Sequence, residues 1–230
     1  MIDVILWDVD GTLLDFLAAE QAAMEDCFAH FGLGPLTPER LARYSALNRV
    51  YWQRLERGEL TKPQVLVGRF REFFAGEGLS PDLAQPFNAR YQEKLGDTVR
   101  FQDGADRLVA RLRGRVRQYA ATNGTRVAQE RKLRRSGLDR QLDGVFISEL
   151  LGAEKPSPAF FDQVLAAIGP VDRRRVLMVG DSLTSDMAGG LGAGLRCCWY
   201  NPQKLPVPPD LALDYVISDL NEVEGLLDLP

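Results

Sequence analysis

Histidine is nearly missing from the sequence, because His30 is the one copy among 230 residues. Imidazole is the usual general base near neutral pH and a usual ligand for zinc, copper and haem iron. A single histidine therefore excludes most of that chemistry. Any catalysis by this chain is expected to depend on carboxylates and hard cations.

Cysteine is scarce as well, with Cys27, Cys197 and Cys198 as the full set. Their odd number and uneven spacing fit neither a disulfide framework nor a zinc knuckle, which favours free, buried thiols. Residues 1–8 have neither the basic start nor the apolar run of a signal peptide, and no segment approaches the ~20 apolar residues of a membrane span. We therefore expect a cytoplasmic protein that does not bind membranes.

The composition is that of an ordinary folded protein. The hydrophobic fraction of 45% and the charged fraction of 26% argue against disorder. The formal charge is only −4, and lysine and arginine are spread along the chain, so nothing indicates a nucleic-acid partner. At roughly 100 to 200 residues per domain, the length allows one large domain or a core with an inserted lobe.

Short apolar runs of strand length recur along the chain, with helical patterns between them. The runs cover residues 4–7, 116–121, 144–147, 175–179, 195–199 and 215–217. Buried strands that alternate with helices are typical of a parallel sheet in the α/β class.

The alternation stops after the first strand, and the apolar stripes that follow have helical spacing. One stripe repeats at i, i+4 and i+7 through Met24, Phe28 and Phe31. We interpret residues 16–97 as a helical domain inserted into a core formed by residues 1–15 and 98–230.

Carboxylates follow two of the strands. In an open parallel sheet the C-terminal strand ends border the ligand crevice, and Asp8 and Asp10 lie at the end of the first strand. Gly11 lets the chain turn so that both can face one site, where they suit a hard, oxygen-ligated cation. Asp181, after the fourth strand, could complete a magnesium shell. Polar turns that cap helices are the alternative at both places.

Two polar turns and a glycine-rich helix complete the pattern. The hydroxyl and backbone N–H groups of Thr122-Asn123-Gly124 could hold a phosphoryl group, and Lys155 beside Pro156 could neutralise its charge. A plain turn and a solvated lysine are the alternatives. Each glycine in residues 189–194 costs a helix roughly 1 kcal/mol relative to alanine, so close packing is expected there.

In this order and spacing, the four segments resemble the four motifs of the haloacid dehalogenase-like hydrolase superfamily. The motifs are Asp8-x-Asp10-Gly-Thr-Leu, Thr122-Asn123-Gly124, Lys155-Pro156 and Gly180-Asp181-x4-Asp186. The resemblance spans residues 4–201. It implies a Rossmann-like, doubly wound parallel sheet core, with residues 16–97 as an inserted helical cap domain.

The resemblance also implies a two-step hydrolysis of phosphate esters with Mg²⁺. Asp8 would be the nucleophile, and Asp10 would act first as general acid and then as general base. Mg²⁺ would bind Asp8, the backbone carbonyl of Asp10 and the carboxylate of Asp181. Asp10 favours a phosphatase over a dehalogenase, because attack on a carbon–halogen bond needs no protonated leaving oxygen.

The remaining motif residues receive supporting roles from the same resemblance. Thr122, Asn123 and Lys155 would bind the phosphoryl group, and Asp186 would orient Lys155 or a metal-bound water. A lysine that forms a Schiff base, as in the phosphonatase branch, is an alternative that Lys62 and Lys94 leave open.

A narrower resemblance concerns the substrate. Residues 176–201, together with Leu14-Asp15-Phe16, are similar to the pyrimidine 5′-nucleotidase branch, which implies a nucleoside monophosphate as the small-molecule partner. The candidates for the substrate pocket are Phe16, Asn48, Trp52 and Arg69, and packing inside the cap is the alternative for each aromatic ring. A sugar-phosphate phosphatase, a phosphoglucomutase-like enzyme and a non-catalytic phosphometabolite-binding module are the competing functions. We expect a monomer or a homodimer.

Overall fold

The core of the protein is a six-stranded sheet, seen in a computed structural model that describes residues 1–227. The strands are β1 (Val4–Trp7), β2 (Arg117–Thr122), β3 (Gly144–Ile147), β4 (Val176–Gly180), β5 (Arg196–Tyr200) and β6 (Tyr215–Ile217). Every neighbouring pair is parallel, in the order β3-β2-β1-β4-β5-β6. The predicted doubly wound α/β class is confirmed.

The direction in which successive strands are added to the sheet changes between β1 and β4. It first runs outward through β2 and β3, and then returns to place β4 on the other side of β1. A crevice forms at such a switch point, outside the carboxyl ends of the two strands. Asp8 and Asp181 follow these two strands directly, so the topology brings the first and the last motif together.

The helices fill the connections between strands and the long insert. They are α1 (Phe16–His30), α2 (Pro38–Glu56), α3 (Lys62–Gly76), α4 (Ala84–Leu95), α5 (Ala105–Leu112), α6 (Arg126–Ser136), α7 (Leu138–Gln141), α8 (Ser148–Leu151), α9 (Pro158–Ile168), α10 (Ala188–Gly192) and α11 (Val223–Leu226). A π-helical turn, Leu183–Met187, leads into α10. No helix within residues 1–227 is long and apolar enough to cross a bilayer.

Both faces of the sheet are covered, because successive strand residues point to opposite sides. Ile5 and Trp7 of β1 pack in one apolar cluster with residues of α5, whereas Val4 and Leu6 pack in another with residues of α9. The strands nearest the switch point are consequently apolar throughout, and all residues of β1 and β4 are buried.

The polar residues that interrupt β2 have partners in the fold. The Gln118 side chain accepts a hydrogen bond from Trp7 Nε1 at 3.1 Å and donates one to the Val109 carbonyl at 3.0 Å. Arg117 donates to the carbonyl of Ile168 at 3.2 Å. Arg115 precedes the strand and therefore lies outside the sheet.

The chain divides into two compact units, Met1–Phe16 with Val99–Pro230, and Leu17–Thr98. We call the second the helical unit. Its interior is aromatic: Tyr44 stacks on Phe70 at a centroid distance of 5.1 Å, and Phe74 and Phe87 meet edge to face at 5.0 Å. Such pairs stabilise a small core beyond their buried area.

Candidate active site

The ammonium group of Lys155 lies between the carboxylates of Asp8 and Asp186 and is buried. Its Nζ donates to Asp8 Oδ1 at 2.8 Å, to Asp186 Oδ1 at 2.7 Å and to the Ala121 carbonyl at 2.6 Å. An ammonium group has three protons, and all three are used. Lys155 is therefore fixed in place, and the alternative of a solvated lysine is excluded.

Three carboxylates lie close together beside this buried ammonium group. Oxygens of Asp8, Asp181 and Asp186 all lie within 4.8 Å of one another. Burial raises the pKa of Asp8 above its usual range, although Lys155 opposes the shift. The pKa of Asp181 is also raised, mainly because the surrounding chain removes water from the carboxylate, and further by the charges of Asp8 and Asp186. Part of the residue is still exposed to solvent. The cluster carries more negative charge than Lys155 compensates.

The donor set fits a magnesium ion. Asp8 Oδ2 is buried and has no hydrogen-bond partner within the described chain, which is costly unless a cation binds it. Carboxylate oxygens at the end of two parallel strands are ligands that Mg²⁺ prefers. Asp186 differs from the other two acids, because it bonds both Lys155 and the backbone N–H of Ser182, the latter at 3.1 Å. Its role in orienting Lys155 stays a prediction.

Gly11 and Trp199 fix the position of Asp181. A Cβ atom on Gly11 would lie 2.6 Å from Asp181 Oδ2, and the φ of Gly11 is +95°. Both the close contact and the backbone conformation therefore favour glycine at this position. Trp199 Nε1 donates to the Asp181 carbonyl at 2.9 Å. The sequence does not reveal this role of Trp199, because the indole lies at the end of an apolar run that is typical of a buried core.

The turn after β2 is joined to the lysine segment by Asn123. Its Oδ1 accepts from the Lys155 N–H at 2.9 Å, and its Nδ2 donates to the Lys155 carbonyl at 2.9 Å. The side chain is thus occupied, which leaves its backbone for the predicted phosphate contact. Thr122, the last residue of β2, is fully buried beside it.

The carboxylate of Asp10 contacts α6 and lies outside the three-carboxylate cluster. Gln129 Nε2 donates to Asp10 Oδ2 at 2.6 Å, and Lys132 Nζ forms an ion pair with Asp10 Oδ1. Gln129 and Lys132 were not among the residues predicted for the site. Their spacing could have indicated that they are buried, because both lie on the same stripe of α6 as the buried apolar residues Ala128 and Leu133.

The expected close packing of the glycines holds at two of the four positions. A Cβ on Gly189 would clash with the Phe161 ring and lie 2.9 Å from Pro156 Cα, and one on Gly190 would lie 2.6 Å from Cys197 Sγ. A Cβ on Gly192 would meet nothing within 4 Å. Gly189 therefore lets α10 approach the segment that carries Lys155.

Two residues predicted for the substrate pocket lie in the interior of the helical unit. Asn48 donates to Glu20 Oε1 at 2.9 Å, and Arg69 Nη1 donates to Asn48 Oδ1 at 2.6 Å. Trp52 packs beside an apolar cluster of the same unit. In the core unit, the Phe16 ring lies 6.0 Å from Lys132 Nζ. Recognition of the substrate by these residues stays a prediction.

The chain is similar in sequence and structure to proteins of one hydrolase family. A sequence model described as haloacid dehalogenase-like hydrolase matches residues 2–194. The pyrimidine 5′-nucleotidase PynA of Streptococcus pneumoniae is 36% identical over 228 residues, which covers 97% of this chain and 94% of PynA. The pyrimidine 5′-nucleotidase YjjG of Escherichia coli is 32% identical over 225 residues, covering 98% and 97%. A crystal structure of the hydrolase YfnB from Bacillus subtilis, bound to magnesium, has a TM-score of 0.93 at 34% identity and covers 99% of both chains.

Proposed function

Because the chain belongs to the haloacid dehalogenase-like hydrolase family, we propose that it is a magnesium-dependent 5′-nucleotidase that acts on pyrimidine nucleoside monophosphates. The chemistry is the hydrolysis of a phosphate monoester through an aspartyl-phosphate on Asp8. The observation that carries the proposal is the bonding of Asp8: Lys155 holds Oδ1, whereas the buried Oδ2 has no partner within the described chain.

In the first step, a carboxylate oxygen of Asp8 attacks phosphorus and the bond from phosphorus to the ester oxygen breaks. Lys155 restrains Asp8 through Oδ1, so the carboxylate is oriented before the substrate arrives. Asp10 gives its proton to the departing alkoxide oxygen. Magnesium held by Asp8, Asp181 and the backbone carbonyl of Asp10 would neutralise charge on the phosphoryl oxygens.

In the second step, a water molecule attacks phosphorus and its proton passes to Asp10, which now acts as the base. The bond between phosphorus and Asp8 breaks, inorganic phosphate leaves, and both aspartates return to their starting protonation states. Thr122 and the backbone of Asn123 are the proposed contacts to the phosphoryl oxygens. Asp186 keeps Lys155 in place throughout, through the 2.7 Å bond.

The substrate class rests on the relatives. PynA and YjjG are both pyrimidine 5′-nucleotidases, and each aligns with this chain over more than nine-tenths of its length. An acidic protein can accept an anionic phosphate here, because a bound divalent cation and Lys155 reverse the local sign of charge.

A panel of substrates tests the proposal. Uridine, thymidine and deoxyuridine monophosphates are compared with hexose phosphates and phosphoglycolate, with magnesium and after its removal by a chelator. We expect kcat/KM to be highest for the pyrimidine nucleotides and turnover to need the metal. Faster hydrolysis of the hexose phosphates would instead identify a sugar-phosphate phosphatase.

Variants test the mechanism in the same assay. Asp8→Asn is expected to lower kcat at least about 10³-fold, because the amide is a poor nucleophile. Asp139→Asn is the matched control, since Asp139 is an exposed acid on α7. An Asp8→Asn variant as fast as the wild type on every ester would exclude the aspartyl-phosphate route.

A further inference from the structure

Gln129 and Lys132 are buried polar residues whose polar partner in the described chain is Asp10. Their exposed fractions are 1% and 0%. Gln129 Nε2 donates to Asp10 Oδ2 at 2.6 Å, and Lys132 Nζ pairs with Asp10 Oδ1. Lysine and glutamine are rarely buried to this extent, because removing their polar groups from water is unfavourable unless a partner compensates. The two bonds involve both oxygens of one carboxylate.

The helix that presents these two residues is held firmly at both ends. Thr125 caps the start of α6 by accepting from Ala128 N–H at 3.3 Å, and Gly137 ends the helix in a left-handed conformation. Leu133 packs into one of the core clusters. Donors on such an element are restrained by the fold, which is what accurate orientation of another side chain requires.

Gly124 makes room for the Gln129 side chain. A Cβ at this position would lie 2.6 Å from Gln129 Nε2 and 3.0 Å from its Cγ. Gln129 Oε1 has no hydrogen-bond partner among residues 1–227, so the amide is oriented by its bond to Asp10. The glycine of the Thr122-Asn123-Gly124 turn thus serves the contact between α6 and Asp10.

We propose that Gln129 and Lys132 are positioning residues for Asp10. Because both of its oxygens accept a bond, the carboxylate has the unprotonated form that it takes after giving its proton to the leaving oxygen, and the two residues hold it in the orientation from which it regains a proton from the attacking water for the next turnover. This inference rests on the function proposed above. Two bonds from different residues restrain rotation of the carboxylate, whereas either bond alone would leave it free to turn. Neither residue needs to contact the substrate.

The test compares two esters that differ in their need for a proton. Uridine monophosphate releases an alkoxide, which must be protonated, whereas p-nitrophenyl phosphate releases a phenolate that is stable without a proton. If Asp10 is no longer held in orientation, the first step should become slower with the nucleotide, whereas its rate with the aryl ester should not change. The second step uses Asp10 as base for both esters and should slow for both.

The variants are Lys132→Met and Gln129→Met, with Lys132→Arg as the conservative change. For each methionine variant we expect kcat on uridine monophosphate to fall about 10- to 100-fold with little change in KM. With p-nitrophenyl phosphate we expect a rapid burst of nitrophenolate at the wild-type rate, followed by slow turnover. Lys132→Arg should recover part of the lost rate.

Arg134→Met is the matched control, because Arg134 is exposed on the same helix. It should behave as the wild type on both esters, and thermal melting of every variant checks that the fold is retained. Equal slowing of the burst and of the nucleotide reaction would overturn the inference, and so would methionine variants with wild-type rates. A wild-type protein that hydrolyses neither ester would overturn the proposed function, and this inference with it.

Discussion

The side chain of Asn123 is paired with the backbone of Lys155 at both of its polar atoms, in two hydrogen bonds of 2.9 Å. The pairing joins the turn after β2 to the segment that carries the buried ammonium group. Lys155 Nζ in turn contacts the carbonyl of Ala121, two residues before Asn123. The asparagine and the lysine therefore fix each other, although they were predicted as separate phosphate ligands.

Asn123→Ala is expected to lower both stability and activity. It removes two hydrogen bonds and leaves two partly buried backbone groups of Lys155 without partners, at a cost of about 1–3 kcal/mol. Asn123→Asp keeps the acceptor for the Lys155 N–H and should lose less stability. Urea unfolding and kcat/KM measured on the same samples check this, and an alanine variant as stable as the wild type would show that the pairing contributes nothing.

Alanine at two glycines of α10 should have opposite effects. Gly189→Ala places a Cβ against Phe161 and Pro156, and such overpacking destabilises by about 1–3 kcal/mol. Gly192→Ala meets open space in the same helix and should stabilise by up to about 1 kcal/mol, because alanine has the higher helix propensity. Thermal unfolding of the two variants beside the wild type measures the difference. Equal effects would show that the close approach of α10 to Pro156 is unimportant.

Asp181→Asn should uncouple stability from magnesium. In the wild type, magnesium at about 100 times its dissociation constant should stabilise the fold by about 2.7 kcal/mol, and the variant should lose most of this gain. Without the metal, the variant should be at least as stable as the wild type, because one charge of the crowded cluster is gone. Melting curves with and without magnesium test both statements without an activity assay. The exposed Asp139→Asn serves as control and should keep the full response.

Glu20 should make the stability of the helical unit depend on pH. Burial raises the pKa of this carboxyl above its ordinary value, although Ser45, Asn48 and Arg69 oppose the shift. The folded state therefore holds the proton more tightly than the unfolded state. The resulting stabilisation is complete below the unfolded pKa of about 4.3 and is lost as the pH rises through the higher folded pKa.

Comparison with Glu20→Gln isolates this effect, because glutamine cannot ionise. The free energy of unfolding of the wild type, minus that of the variant, should fall as the pH rises from the unfolded pKa of about 4.3 through the higher folded pKa. Urea titrations across this range measure it, and the other titrating groups cancel in the subtraction. Parallel pH curves for the two proteins would contradict the assignment.

The sequence by itself determined the fold class and the place of the catalytic motifs. Apolar runs and helical stripes depend on local spacing, so they can be recognised without knowledge of the contacts. Because parallel strands end at one edge, carboxylates that follow β1 and β4 had to meet there. The ends of strands were less certain: β2, β4 and β5 each lie one residue later than their apolar runs.

The tertiary structure alone decided which polar side chains pair. Lys155 and Asp8 are 147 residues apart, and Lys132 and Asp10 are 122 apart. No periodicity links such positions, since their contact depends on how the sheet orders its strands and how α6 packs on it. The same reason applies to the bond between the Asn48 amide and Glu20 inside the helical unit, which joins residues 28 positions apart. Local patterns fix the elements, whereas burial and long-range contacts decide the partner of each polar group.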